Sequence, residues 1–212
     1  MLPTGMTDHK KKTAHLRQDR VLRKVIDAVE ELEHSWIVKV RPNHFKSLVR
    51  AIVNQQLSGK AADTIFKRFQ ALFGKKFPKP EEVLKMPTAK LRKVGLSGMK
   101  VSFLKDLSRK ILDGTVDFRA MKKWSDEEVI KHLVAVKGIG RWTAEMFLMF
   151  SLGRDDIFSY GDLALRKAIQ KLYKLKKEPT TAQAEKITAA WKPYRTLGSR
   201  YLWASFDLKK KK

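Results

Sequence analysis

The sequence predicts an all-α protein organised around a helix, a tight two-glycine hairpin and a second helix. Apolar residues recur at helical spacing along most of the chain, and glycine and proline punctuate the joins. One capped amphipathic stretch runs straight into Gly138-Ile139-Gly140. Only Trp36 to Val40 hints at a strand.

In chain order, residues 1–15, with the run Lys10-Lys11-Lys12, lack core periodicity and read as a flexible basic tail, as do Lys209 to Lys212. Phe45, Leu48, Val49, Ile52 and Val53 mark one helical stripe, and Ala61, Ala62, Ile65, Phe66, Phe69 and Phe73 mark the next. Lys93-Val94-Gly95-Leu96-Ser97-Gly98 faintly echoes the Gly-x-Gly turn and precedes a third stripe, Val101, Leu104, Leu107 and Ile111. Ser125 with Glu128 has the form of a capping box, so a helix starts there and runs through Val129, Ile130 and Leu133. A last stripe comprises Ile187, Ala190, Trp191 and Tyr194.

The 212 residues can bury one good-sized domain or two small lobes sharing an interface. Lys and Arg number 46 against 22 Asp and Glu, a net charge of +24 that favours a polyanionic partner. Nucleic acid leads that class, which also contains anionic membranes. The absence of cysteine excludes disulfides, thiolate zinc sites and cysteine-ligated iron–sulfur clusters within this chain. There is no apolar run of the roughly 20 residues a membrane helix needs, and no apolar signal-peptide core, so the expectation is an intracellular protein without a membrane partner.

Two glycines two apart permit positive φ and remove Cβ atoms that would block close approach, and the following helix starts with unpaired N–H groups. Such a terminus binds phosphate oxygens. On Gly-Ile-Gly alone, a plain αα-turn with a glycine C-cap is an equally open reading.

The flanking residues add specificity. Val136-Lys-Gly-Ile-Gly-Arg-Trp-Thr-Ala144, then Phe158-Ser-Tyr-Gly-Asp162-Leu-Ala-Leu, resemble the HhH-GPD superfamily of DNA glycosylases, most of all those of the DNA-3-methyladenine glycosylase II type. The likeness includes Ile52-Val-Asn-Gln-Gln56-Leu-Ser58 and Trp191-Lys-Pro-Tyr-Arg195 to Trp203. It implies two helical lobes, residues 42–150 and residues 16–41 with 151–208, with the hairpin and an active-site cleft between them. The partner it implies is double-stranded DNA containing a damaged base, met by a monomer. Lys137 departs from the proline of many family hairpins, which should loosen the turn slightly.

By this resemblance, Gly138, Gly140, the Thr143 hydroxyl, Lys137 and Arg141 contact DNA phosphates, and Gln55 and Gln56 belong to the segment that enters the base stack. Tandem glutamines have a second reading, as caps for the helix end or partners of neighbouring backbone. The carbonyls of Val134, Val136 and Gly138 are candidate ligands for a structural sodium or potassium ion; no other cofactor is expected. Trp142, Trp203, Met146 and Leu163 match base-pocket positions, where an indole face favours a cationic purine. Lys100 and Arg154 are weaker phosphate candidates.

Asp162, 22 residues after Gly140 and just before an amphipathic run, is an N-cap by its local sequence and the catalytic carboxylate by the resemblance. A carboxylate can stabilise the positive charge that develops on the sugar when an N-glycosidic bond breaks, or position water. Relatives that also nick DNA carry a lysine where this chain has Trp142, and Lys167 does not occupy that place, so hydrolysis without strand cleavage is expected. The alternatives are deaminated, etheno-modified or oxidised substrate bases, or a non-catalytic DNA-binding module.

Overall fold

The computed structural model describes residues 4–31, 43–206 and 208; the strand hinted at by Trp36 to Val40 lies outside these. The described residues form helices and no strand, and none of the helices is long and apolar enough to cross a membrane. The chain divides into two compact units, residues 40–152 and residues 1–39 with 153–212.

The first of these units begins with α3 (His44–Asn54), after α1 (Thr4–Leu16) and α2 (Arg20–Glu30) of the other unit. It continues through α4 (Gly59–Ala71), α5 (Pro80–Lys85), α6 (Thr88–Lys93), α7 (Gly98–Leu112), α8 (Asp126–Val134) and α9 (Arg141–Phe147), ending in a π-helical turn, Leu148–Leu152. The stripes read from the sequence become its core: Leu48, Val49, Ile52 and Val53 of α3 are buried with Phe66 and Phe69 of α4 and Leu104 and Leu107 of α7. Each such side chain contributes about 1.5–3 kcal/mol through the area it removes from water. The Ser125–Glu128 box caps α8 as expected, Glu128 accepting from the Ser125 N–H at 2.7 Å. The echo at Lys93 to Gly98 is a turn of related plan: Gly95 has φ +105°, Leu96 is buried, and the Ser97 hydroxyl caps α7.

The other unit packs α1 and α2 with α10 (Leu163–Leu172), α11 (Thr181–Thr188) and α12 (Arg195–Ala204). Here one expectation is overturned. Residues 1–15 were expected to be a flexible tail, but Thr4–Leu16 is a helix whose Thr13 and Leu16 are buried. Lys12 of the basic run pairs with Asp155 at 2.8 Å and with Asp8 of the same helix at 2.7 Å. The stripe from Ile187 to Tyr194 is likewise broken. The α-helix stops at Thr188, a 3-10 turn covers Ala189–Trp191, and Pro193, which has no N–H to donate, follows before α12.

Asp19 holds this unit together. One carboxylate oxygen caps α2 through the N–H groups of Val21 and Leu22, and the other accepts from the Tyr173 hydroxyl and, at 2.9 Å, from the Trp191 indole. Trp191 is fully buried, and α12 approaches it so closely that a Cβ on Gly198 would stand 2.6 Å from the indole. Burial pushes the Asp19 pKa up, but the bonds from Tyr173, Trp191 and the two amides outweigh it and hold the carboxyl below its ordinary value. A depressed carboxylate pKa contributes stability that is present above the unfolded value, near ~3.9, and is lost as pH falls through the folded one. Asp19→Asn keeps a capping oxygen but loses the charge. Urea unfolding should show it less stable than the parent by about 1–2 kcal/mol at pH 7, a gap that narrows below about pH 4.

Candidate active site

The hairpin joins α8 to α9 through Ala135 to Gly140. Its two glycines do different work. Gly138 has φ +80°, and a Cβ there would lie 2.1 Å from the Phe103 ring of α7, so both the backbone angle and the packing demand glycine. Gly140 has φ −92°, and a Cβ there would meet nothing within 4 Å. The turn is held from behind by two polar side chains. Asp106 of α7, almost fully buried, accepts from the Lys137 N–H at 2.9 Å, and the Gln55 amide donates to the Gly138 carbonyl at 2.7 Å. Burial raises the Asp106 pKa, but the Lys137 amide, Lys110 and the nearby positive charges more than offset this and keep it below its usual value. No side chain caps α9, unlike α7 and α8. The amides of its first turn are therefore left without a side-chain acceptor.

A small cleft lies beside α9, walled by Thr143, Met146 and Phe147, by Phe150 and Ser151 of the π-helical turn, and by Ser47, Leu48 and Ala51 of α3. Trp142, one turn before Met146, is 52% exposed.

In the other unit, Asp162 is 8% exposed and caps α10, its Oδ1 accepting from the Leu165 N–H at 2.8 Å and from the Trp203 indole N–H at 3.4 Å. The turn that carries it is fastened at both sides. Phe158 is buried against Trp191, and the Tyr160 hydroxyl meets Thr188 at 3.1 Å and Arg195 at 3.3 Å. Arg195 also grips both carboxylate oxygens of Asp156, at 2.7 and 3.0 Å. Leu163, next to Asp162, leaves half its surface exposed. The result is an oriented carboxylate beside an apolar surface, a group able to stabilise developing positive charge without moving.

A family model described as HhH-GPD superfamily base excision DNA repair protein matches residues 49–193. The chain belongs to this superfamily. Over 192 residues it is 36% identical to DNA-3-methyladenine glycosylase 1 of Schizosaccharomyces pombe, covering 84% of each chain. The 3-methyladenine DNA glycosylase of that yeast, solved in complex with abasic DNA, superposes with a TM-score of 0.79 at 33% identity, covering 93% of this chain and 97% of the other. A DNA-3-methyladenine glycosidase from Bacillus halodurans gives a TM-score of 0.82 at 36% identity, covering 93% and 89%.

Within the HhH-GPD fold, several residues expected at DNA also have protein partners. Arg141 binds Glu127 of α8 and Glu145 of α9, tying the hairpin's two helices together, because both carboxylates lie within reach of its guanidinium. Gln55 braces the hairpin through its amide, a backbone bond of the kind the second reading of the tandem glutamines expects. Gln56 is exposed at the tip, with φ +55°, beside half-exposed Leu57. Thr143 is 9% exposed and lines the cleft. Lys100 caps the end of α3, donating to the Val53 and Gln55 carbonyls at 2.8 and 2.7 Å. The Lys137 turn is not loosened, since its N–H, which proline would lack, is bonded to Asp106.

Sequence reading missed Asp106, Phe103, Asp156 and Tyr160. Asp106, with Arg109 and Lys110 three and four residues on, looks like a solvent-facing helical ion pair. Asp106→Ala should lower stability by about 1–3 kcal/mol in denaturant unfolding, because the Lys137 N–H loses its acceptor. Gly138→Ala should be more damaging, whereas Gly140→Ala should leave the unfolding midpoint close to that of the parent.

Proposed function

We propose that this protein is a monofunctional DNA glycosylase acting as a monomer on duplex DNA, releasing alkylated purines of the 3-methyladenine and 7-methylguanine type and leaving an abasic site. Asp162 carries the reading: an oriented, nearly buried carboxylate in the fold of a base-excision superfamily whose similar members are named 3-methyladenine glycosylases. The target bond is hidden in a stacked duplex, so the nucleotide is extruded. The first-turn amides of α9, with Gly138 and Gly140, hold the phosphates beside it, and the exposed tip at Gln56 and Leu57 occupies the space left behind.

A purine alkylated at N3 or N7 often carries positive charge and leaves as a neutral molecule, so one carboxylate suffices to stabilise the sugar cation and guide water onto it. The indole faces of Trp142 and Trp203 favour the cationic base, and the Trp203 N–H keeps Asp162 in position. Trp142 stands where strand-nicking relatives have their lysine, so no Schiff base forms at that position. Sodium or potassium suits the hairpin carbonyls of Val134, Val136 and Gly138. The Val136 and Gly138 carbonyls each accept one protein N–H, from Ile139 and Gln55, and each retains a second lone pair for the ion.

Duplexes carrying 3-methyladenine, 7-methylguanine, hypoxanthine, ethenoadenine or uracil test the reading directly. Methylpurines should be released, with strand breaks only after alkali; breaks without alkali would sink the monofunctional assignment. Asp162→Asn, which preserves a good N-cap, should leave the fold and low-salt DNA binding in place while slowing base release by about 100-fold or more. Gly140→Ala should weaken DNA binding without unfolding the hairpin, as read by fluorescence anisotropy.

A further inference from the structure

Helix α12 meets the segment that carries Asp162 at two places, one near each of its ends. At its start, the Thr196 N–H donates to the Asp155 carbonyl at 2.9 Å, and the Thr196 hydroxyl donates to the Arg154 carbonyl at 2.7 Å while accepting from the Ile157 N–H at 3.0 Å. Beside it the Arg195 guanidinium holds the Asp156 carboxylate and backbone carbonyl, and one further arm, Nη1, reaches past them to the Tyr160 hydroxyl at 3.3 Å. Trp203, about 12 Å further along the same helix, donates to Asp162 itself.

The link from Arg195 to the acid passes through one closed turn. The Asp162 N–H donates to the Ser159 carbonyl at 3.1 Å, so Tyr160 is the second residue of a four-residue turn that ends on the acid. Arg195 can only donate to the Tyr160 hydroxyl, which leaves the phenol proton for Thr188 Oγ1 at 3.1 Å. The phenol is thus directed from both sides. Gly161, between Tyr160 and Asp162, is exposed, and a Cβ there would meet nothing within 4 Å, so packing at that point does not hold the turn. The hold falls on Tyr160. An ion pair as sheltered as Arg195–Asp156, with side chains 19% and 31% exposed, adds little net stability. What the extra arm to Tyr160 supplies is orientation.

We propose that Arg195, acting through Tyr160, is a positioning residue for Asp162: it fixes the backbone that carries the acid, while Trp203 of the same helix fixes the side chain. The proposal rests on the glycosylase reading for its consequence in rate. A small displacement of the acid weakens its action on the sugar cation, a loss felt in the transition state and not in binding of the duplex. Lysine cannot take over this task. Its ammonium keeps the charge but lacks the planar fork that spans Asp156 and Tyr160 together.

Arg195→Lys and Tyr160→Phe are the test. Single-turnover release of 3-methyladenine and 7-methylguanine at saturating enzyme should fall about 5–10-fold in each, while half-saturation and affinity for a duplex carrying a stable abasic analogue stay within about twofold of the parent. In an Asp162→Asn background, Tyr160→Phe should cause no further loss, because the acid through which it acts is gone. Tyr160→Phe keeps a ring against Phe158, so it decides the matter if Arg195→Lys does not fold. Hydrogen exchange of the Trp203 indole N–H and the Leu165 amide, both bonded to Asp162, should quicken in Tyr160→Phe by a similar factor. Release at the parent's rate in Tyr160→Phe would overturn the proposal. So would an equal fall in the Asp162→Asn background, or a loss confined to duplex affinity. If the parent releases no base from any duplex, the glycosylase reading falls, and the exchange measurement still decides whether Tyr160 holds Asp162: unchanged exchange in Tyr160→Phe sinks the link.

Discussion

A turn that offers its amides outward has to be held from behind, and the hairpin depends on that support. Gly138 adopts a left-handed φ against the Phe103 ring, leaving the Lys137 N–H and Gly138 carbonyl in need of partners inside the unit. Asp106 supplies one partner and Gln55 the other. Gln55 is itself placed by Lys100, whose ammonium gathers the last carbonyls of α3. Helices α3 and α7 thus pin the turn from two sides, while the α9 terminus keeps no cap of its own. The uncapped end leaves its first-turn amides without a side-chain acceptor.

The carboxylate follows the opposite logic. Asp162 satisfies the start of α10 and is thereby immobilised, so the cap that stabilises the helix also orients the acid. The Trp203 indole adds a second donor on the same oxygen. The turn before it is secured by Phe158 and by Tyr160 between Thr188 and Arg195, far from Asp162 in sequence. A group that must act without reorganising benefits from such over-determination. The acids near the hairpin, Glu127, Glu145 and Asp106, are occupied by Arg141, Lys110 and the Lys137 amide, which limits local repulsion toward a polyanion despite their negative charge.

Much of the helical plan was legible because its signals are local. The capping box at Ser125, the stripes of α3, α4 and α7, the glycine turn and the cap at Asp162 are all written within a few residues. What was not legible shares one cause. Residues 1–15 looked like a tail because, among the described residues of α1, Thr13 and Leu16 near its end are the deeply buried ones, and the partners that bury them lie in distant segments. Arg141 and Lys100 read as DNA contacts because they are cations near a hairpin in a chain with an excess of 24 positive charges, and Gln55 by the segment it belongs to; their protein partners lie far along the sequence and could not be read from it.

The sequence by itself determined the all-α class, the family, the hairpin and the helix cap at Asp162, since these rest on periodicity, caps and motifs of short range. Only the tertiary structure decided which polar groups look inward. Asp106 became a brace, Arg141 a tie between two helices and Thr143 part of a cleft wall because the bonds and burial that define these roles join residues brought together by packing of whole helices. Helical spacing specifies which face of a helix is buried. It does not specify the neighbour that the face will meet, and for a polar side chain that neighbour sets its task.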